Sequence, residues 1–215
     1  MGVGATFTGT SLQLPGSGNG NAIPANMSAY LDLQNGLISS KTNLSVEIWA
    51  TPVTMKFWQR LFDFGRTNNG FSPAMRGVGA APGEILPNAT AAPINFTSSD
   101  NLMLAINRDN TANTQRVEAR LNGGAQLGVN SAQPIANGTR HHFLMTFTDG
   151  AGASGAAGGQ IAWYLNGALV ATLDVAFRLS EIEDVNNWLG RSHFRDDSNA
   201  NIAYDEVRIY TPELT

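Results

Sequence analysis

Short runs of alternating apolar and polar residues, each closed by Gly, Asn, Asp or Pro, recur along this chain from end to end. Alternation with period two sends successive side chains to opposite faces of a strand. In "LSVEIWATP", Leu44, Val46, Ile48 and Ala50 share one face, and Ser45, Glu47, Trp49 and Thr51 share the other. "SLQLP", "AYLDL", "WQRLFDFG", "LMLAIN", "RVEARL", "HHFLMTFTDG", "NNWLGRS" and "AYDEVRIY" carry the same kind of signal. In "GQIAWYLNGALVATLDV" two such runs meet at Asn166-Gly167, a pair that accepts positive φ at both central turn positions and favours a tight hairpin. No segment sustains the apolar spacing of a long helix; "RLSEIEDV" reads as one helical turn or a loop. The expectation is an all-β chain, a two-sheet antiparallel β-sandwich. The clearest strand patterns lie in the first and last thirds, so the two ends are expected to pair. The Gly-, Pro- and Ala-rich stretch from Asn68 to Asn101 reads as a long loop or two weak strands, and "DGAGASGAAGG" as a flexible hairpin tip.

Composition narrows the function classes. The 215 residues are 42% hydrophobic, enough for one large β domain, and neither a linker nor a repeat divides them. A single domain spanning 1–215 is expected. Net charge is -4, Lys occurs only at Lys41 and Lys56, and no basic run exists that would neutralise phosphates, which argues against nucleic acid as a partner. No apolar stretch reaches the ~18 residues needed to span a bilayer, so membrane insertion is not expected. Cys is absent, which excludes disulfides and Cys-ligated zinc and fits an exported bacterial protein. No charged segment followed by an apolar one opens the chain; the expectation is a module of a longer secreted or cell-surface protein, without its signal peptide.

Several pieces, in this order, are specific together: "YLDLQNGLIS", "LSVEIWATP", "WQRLFDFG", "HHFLMTFTDG", "IAWYLNGALV", "WLGRS" and the closing "YDEVRIYTPEL". Their order and spacing resemble the LamG-like jelly-roll family of the concanavalin A-like lectin/glucanase fold, over nearly the whole chain. The resemblance implies a jelly roll and a non-catalytic module that binds carbohydrate or serves adhesion, with a glycan or cell-surface polymer as partner. A spacer or protein-interaction module without a sugar site is the alternative, and a glycoside hydrolase or lyase the third reading. The family often carries Gly shortly before the closing aspartate, where this chain has Asn201-Ile202-Ala203-Tyr204.

The candidate residues follow from these readings. In several relatives the closing-strand aspartate resembles a structural calcium ligand, and the matching residue is Asp205. Calcium takes about six to eight oxygens, so one carboxylate needs backbone help; an Asp accepting amides at a strand start is the other reading. Asp196 and Asp197 in "HFRDDSNAN" form a second, weaker calcium candidate, against a solvated loop. Glu47 and Trp49, on the face opposite Val46 and Ile48, would line a sugar groove if that face carries it: a ring stacks on a pyranose and a carboxylate accepts its hydroxyls. Packing of Trp49 under a loop is the alternative. Trp163 is a further candidate ligand-binding ring, and Trp58 a third ring that exposure would test. No catalytic residue is assigned. A retaining glucanase needs two carboxylates ~5–5.5 Å apart, carried as Glu-x-Asp-x-(x)-Glu on one strand, and that run is absent; Glu181-Ile182-Glu183-Asp184 lacks the third carboxylate. His141 and His142, adjacent in a strand, face opposite sides and are read as structural. Glu206 with Arg208, and Glu118 with Arg120, are expected as surface ion pairs of little energy.

Overall fold

The alternation of the sequence becomes two antiparallel sheets packed face to face, in a computed structural model that describes residues 4–17, 29–68, 81–85, 96–109, 111 and 113–211. In chain order the strands are β1 (Thr6–Phe7), β2 (Leu12–Pro15), β3 (Leu31–Leu33), β4 (Asn43–Thr54), β5 (Gln59–Thr67), β6 (Ser98–Asn107) and β7 (Gln115–Arg120). They continue with β8 (Leu127–Ser131), β9 (His141–Asp149), β10 (Gly159–Leu165), β11 (Ala168–Val175), β12 (Asn186–Leu189) and β13 (Asn201–Tyr210). A seven-stranded sheet runs β1-β2-β13-β4-β9-β10-β11, and a six-stranded sheet runs β3-β12-β5-β6-β7-β8. The chain ends pair as expected. β13 joins β2 through Ile202 opposite Leu14 and Tyr204 opposite Leu12, then β4 through Val207 opposite Ile48 and Ile209 opposite Val46.

The inward faces meet as the alternation requires. Val46, Ile48, Phe143, Met145, Phe147, Ile161 and Leu165 come from one sheet; Phe62, Phe64, Leu102, Leu104, Val117 and Ala119 come from the other. Each large side chain contributes roughly 1.5–3 kcal/mol by leaving water. Trp163 belongs to this set, with no exposed surface. Its ring is surrounded by core side chains and has no face to offer a ligand, which corrects its assignment as a binding residue.

Asn166 and Gly167 have φ of 51° and 82°, so the hairpin between β10 and β11 takes the turn its residues favour. "RLSEIEDV" contains a single 3-10 turn, Leu179–Glu181. The expected flexible tip before β10 is pinned: the Asp174 carboxylate accepts the Ala153 amide at 3.0 Å and the Gln160 side chain at 2.8 Å. Most of the Gly- and Pro-rich stretch, 69–80 and 86–95, lies outside the described residues.

The outer face of the six-stranded sheet positions the candidate site. Directly opposed residues share a face, so the register sets Asp32, Trp188, Asp63, Met103 and Glu118 in one row across five strands. That row is polar, and most of it is buried. The chain after β12 folds back over it, with Ser198 N–H donating to Phe57 at 3.1 Å and Ala200 N–H to Gly190 at 2.8 Å. From the other side Ile85 N–H donates to the Asn186 side chain at 2.8 Å.

Gly65 is where this sheet tolerates no side chain. Its φ is +152°, and a Cβ there would stand 2.0 Å from the Asp100 carbonyl oxygen. Gly65→Ala should cost about 3 kcal/mol or more. Gly123→Ala, at φ +67° with nothing within 4 Å of an added Cβ, should cost only about 1 kcal/mol. Urea denaturation of the two variants checks the pair, and equal losses would contradict this account of the sheet.

Candidate functional site

The site starts from a turn. Between β4 and β5 the chain reverses with Gln59 N–H donating to Lys56 O at 3.2 Å, and Trp58 sits at φ 48°. A bulky residue is uncommon in this left-handed region and costs roughly 1–3 kcal/mol unless its surroundings hold it. They do so here. The Asn107 side chain donates to Lys56 O at 2.8 Å, the Gln59 side chain accepts Lys56 N–H at 3.0 Å, and Arg60 Nη1 donates to Trp58 O at 2.9 Å.

Arg60 is buried, and its nitrogens meet separate acceptors. Nη1 takes the Trp58 carbonyl, Nη2 the Asp197 carboxylate at 2.7 Å, and Nε the Asp63 carboxylate at 3.4 Å. The guanidinium carbon lies 5.2 Å from the Trp58 ring centroid and 5.8 Å from that of Phe194. Asp63 continues the network. It accepts the His193 backbone N–H at 3.0 Å and faces His193 Nδ1 at 2.6 Å, while Nε2 faces the Asn186 carbonyl at 3.1 Å. His193 also stacks on Trp188, with centroids 4.7 Å apart. Ser192 donates to Asp197 at 2.7 Å and accepts Phe194 N–H at 2.9 Å.

Above this network opens a cavity of about 390 Å³. Phe57, Trp58, Phe96 and Phe194 give it aromatic walls; Arg60, Glu118 and Asp197 give it fixed charge. Burial pushes the Asp197 carboxyl up to about 6, with Asp63 and Glu118 pushing the same way, against the opposing pull of Arg60 and Ser192. Glu118 is buried and accepts Arg116 at 2.7 Å and Asn101 at 3.2 Å. It therefore pairs with Arg116, not with Arg120 as its strand spacing suggested. Arg120 instead donates to the carbonyls of Ser98, Gly123 and Gly124.

The residues singled out in the sequence fall in different places. Glu47 and Trp49 do share the outward face of β4, but that face belongs to the seven-stranded sheet, away from this cavity. There Trp49 stacks on His142 with centroids 4.5 Å apart, and the Arg140 guanidinium lies over its ring at 4.6 Å. Glu47 receives the Tyr210 hydroxyl at 2.7 Å and faces His142 Nε2 at 2.9 Å. The Tyr210 hydrogen bond is the main reason its carboxyl lies below the usual range. The protein's own side chains thus occupy both groups. Glu206 pairs with Arg208 as expected. Asp205 accepts Arg140 Nε at 3.0 Å. Asp196 is exposed beside Arg195, whereas Asp197 turns inward to Arg60. Calcium does not fit these side-chain sets: at Asp205 and Asp197 a guanidinium stands against the carboxylate. Among the described residues no three His, Cys, Asp or Glu side chains cluster as metal ligands. Of the sequence candidates, Trp58, Asp196 and Asp197 line the cavity. Arg60, Glu118 and Phe194 were not among the candidates, and Arg60 is joined to Asp197 across 137 positions of sequence.

Fold and site together define a jelly-roll sandwich with an aromatic-walled, charged cavity on one outer face. A laminin G family model, described as Concanavalin A-like lectin/glucanases superfamily, matches residues 25–215, and the chain belongs to that family. Similar solved structures include the CBM40 of a Ruminococcus gnavus IT-sialidase bound to α2,3-sialyllactose: TM-score 0.54, 14% identity, 86% of this chain and 91% of that one. Domain 4 of AbnA, a GH43 extracellular arabinanase from Geobacillus stearothermophilus, in complex with arabinotriose, gives TM-score 0.54 and 15% identity over 99% and 75% of the chains. Mouse laminin α1 chain domains LG4-5 give TM-score 0.56 and 12% identity over 100% and 45%. At these identities the likeness is one of fold. No curated protein sequence matches the chain. Among the described residues no helix is long and apolar enough to cross a membrane.

The raised Asp197 carboxyl has a measurable consequence. An acid with a higher pKa folded than unfolded keeps its proton longer in the folded protein, so its effect favours folding at low pH and is lost as pH rises. From an unfolded value of ~3.9 to a folded value of about 6, the difference is about 3 kcal/mol. Relative to the native chain, Asp197→Asn should therefore gain stability by about that amount between pH 4 and 7. Denaturant unfolding across that range tests it; a stability difference that stays constant with pH would contradict the assignment.

Proposed function

We propose that this domain is a non-catalytic glycan-binding module, exported to the cell surface or exterior, with its site in the cavity between Trp58 and Phe194. One observation carries the reading: Trp58 is held in a strained conformation at the rim of a cavity whose wall carries two carboxylates already fixed by guanidinium groups. An aromatic ring offers a flat apolar surface to the C–H face of a pyranose, and fixed carboxylates accept hydroxyl donors without losing further side-chain freedom. The volume, about 390 Å³, falls at the lower end of ligand pockets of roughly 300–1,000 Å³ and suits a short glycan.

The same carboxylates argue against hydrolysis. A general acid must reach the leaving oxygen, and its partner must be free to act as base or nucleophile. Asp197 is committed to Arg60 and Ser192, and Glu118 to Arg116 and Asn101. Each is an acceptor locked in place, a role that suits recognition. The bound sialyllactose and arabinotriose of the two neighbours support glycans as the ligand class.

A glycan array on the whole chain, with calcium and with a chelator, tests this. Binding should occur in both buffers. In a titration with the best array ligand, Trp58→Ala should weaken affinity about tenfold or more, equivalent to at least ~1.4 kcal/mol, and leave the circular dichroism spectrum unchanged. Native affinity in the Trp58→Ala variant would remove this site, and no binding in either buffer would favour a protein-adhesion or spacer role.

A further inference from the structure

Arg60 has a counterpart on the same sheet face that is not satisfied. Arg191 follows β12 after Gly190, and its side chain is 1% exposed. The guanidinium carbon lies 4.2 Å from the Trp188 ring centroid, 4.5 Å from that of Tyr30 and 5.9 Å from that of Phe96. Ile85 completes this small cluster with Tyr30, Phe96 and Trp188. Where Arg60 spends its nitrogens on three acceptors, Arg191 Nη1 and Nη2 have none. The Tyr30 hydroxyl, Trp188 Nε1 and Asp32 Oδ1 are likewise buried without a hydrogen-bond partner. Asp32 acts on Arg191 through its charge, and Tyr30 through its charge and a hydrogen-bond interaction, but the guanidinium lies over the Tyr30 ring and neither Nη atom has a partner at full hydrogen-bond distance and angle.

Such an arrangement is costly. A buried cation is tolerated when a counter-charge and acceptors surround it, and orphaned buried donors call for an ion or a water molecule. The inventory here is unbalanced: two guanidinium nitrogens, an indole N–H and a phenol against a single carboxylate oxygen. We infer that the cluster of Tyr30, Trp188 and Arg191 beside Asp32 is a binding site for a small monovalent anion, a halide or a carboxylate group. An anion accepts from several donors at once, which a water molecule does only in part, and it replaces the counter-charge that Asp32 ceases to supply once protonated. Asp32, half-buried, lies on β3, the edge strand of the sheet.

Asp32 also makes the site sensitive to pH. Burial raises its carboxyl to about 6 and Glu84 adds to the rise, while Arg191 and the nearby Trp188 indole N–H oppose it. Burial raises the Tyr30 hydroxyl and lowers Arg191. The groups facing the anion are therefore Asp32, Glu84, Tyr30 and Arg191. Of these Asp32 is neutralised as pH falls through about 6, which removes repulsion, so anion affinity should increase in that direction.

The anion cluster shares only Phe96 with the glycan cavity, so either site can fail without the other. Chloride binding to the full chain is followed by ³⁵Cl line broadening at pH 5 and pH 8, with acetate as competitor. Crystals soaked in bromide locate the ion. The expected result is saturable broadening, displaced by acetate and stronger at pH 5, with an anomalous peak at the Arg191 guanidinium. Asp32→Asn should bind at both pH values, flattening the dependence. Arg191→Met should abolish the broadening; should it fail to fold, Trp188→Phe, which keeps ring and charge and removes one donor, should weaken binding about tenfold. Water density at Arg191 with no bromide peak, or broadening unchanged in these variants, would overturn the proposal.

Discussion

A single buried guanidinium, that of Arg60, organises the outer face of the six-stranded sheet. Removing a charge from water costs several kcal/mol, and only good geometry with full hydrogen bonding offsets it. Arg60 achieves this by drawing on three parts of the chain: the Trp58 carbonyl of the β4–β5 turn, Asp63 of β5 and Asp197 of the segment after β12. Asp63 passes the constraint on to both the backbone and the ring of His193. The loop over the sheet therefore cannot shift without leaving a buried charge unpaired. That is why a cavity built largely from loop and turn residues has fixed walls.

The two outer faces solve the same problem differently. On the seven-stranded sheet, polar and aromatic side chains satisfy one another across neighbouring strands. His142 bonds Glu47 and stacks on Trp49, Arg140 covers the same ring and reaches Asp205, and Tyr210 closes on Glu47. Glu47 and Trp49 are thus already partnered within the sheet. On the six-stranded sheet the row from Asp32 to Glu118 is covered by segments distant in sequence. Cavity and unsatisfied cluster both lie on this face.

This difference explains what could be read from the sequence. Alternation located β4, β9, β10 and β13, and in β4 it separated the inward Leu44, Val46, Ile48 and Ala50 from the outward residues, because one buried face imposes a strict period of two. Asn166-Gly167 specified its hairpin by backbone chemistry alone. β8 left little trace, since "LGVNS" is a half-exposed edge strand with weak patterning. For the site, alternation established that Glu47 and Trp49 point away from Val46 and Ile48. It carried no information about which sheet bears the open cavity, or about which neighbour's side chain lies over a ring. Trp163 shares the face of Ile161 and Leu165, whereas Trp49 shares that of Ser45 and Glu47, so the period of two already separates the core ring from the surface one. The Arg60–Asp197 and Asp63–His193 contacts join residues 137 and 130 positions apart, and no local pattern encodes such pairs.

The core and the site place opposite demands on this fold. Core positions agree in period and burial, with one exception: the Trp163 indole N–H is buried there without a hydrogen-bond partner. Departures from that agreement gather on one outer face, as a bulky residue at positive φ, a carboxyl raised by burial, and a guanidinium among aromatic rings without acceptors. Natural sequences break local rules mainly where something other than folding is served. Each departure here also has a chemical use. The strained turn presents a ring, the fixed carboxylates present acceptors, and the orphaned donors await a negative charge. The seven-stranded sheet, free of such departures on its outer face, supplies the stable support that allows the other face to carry them.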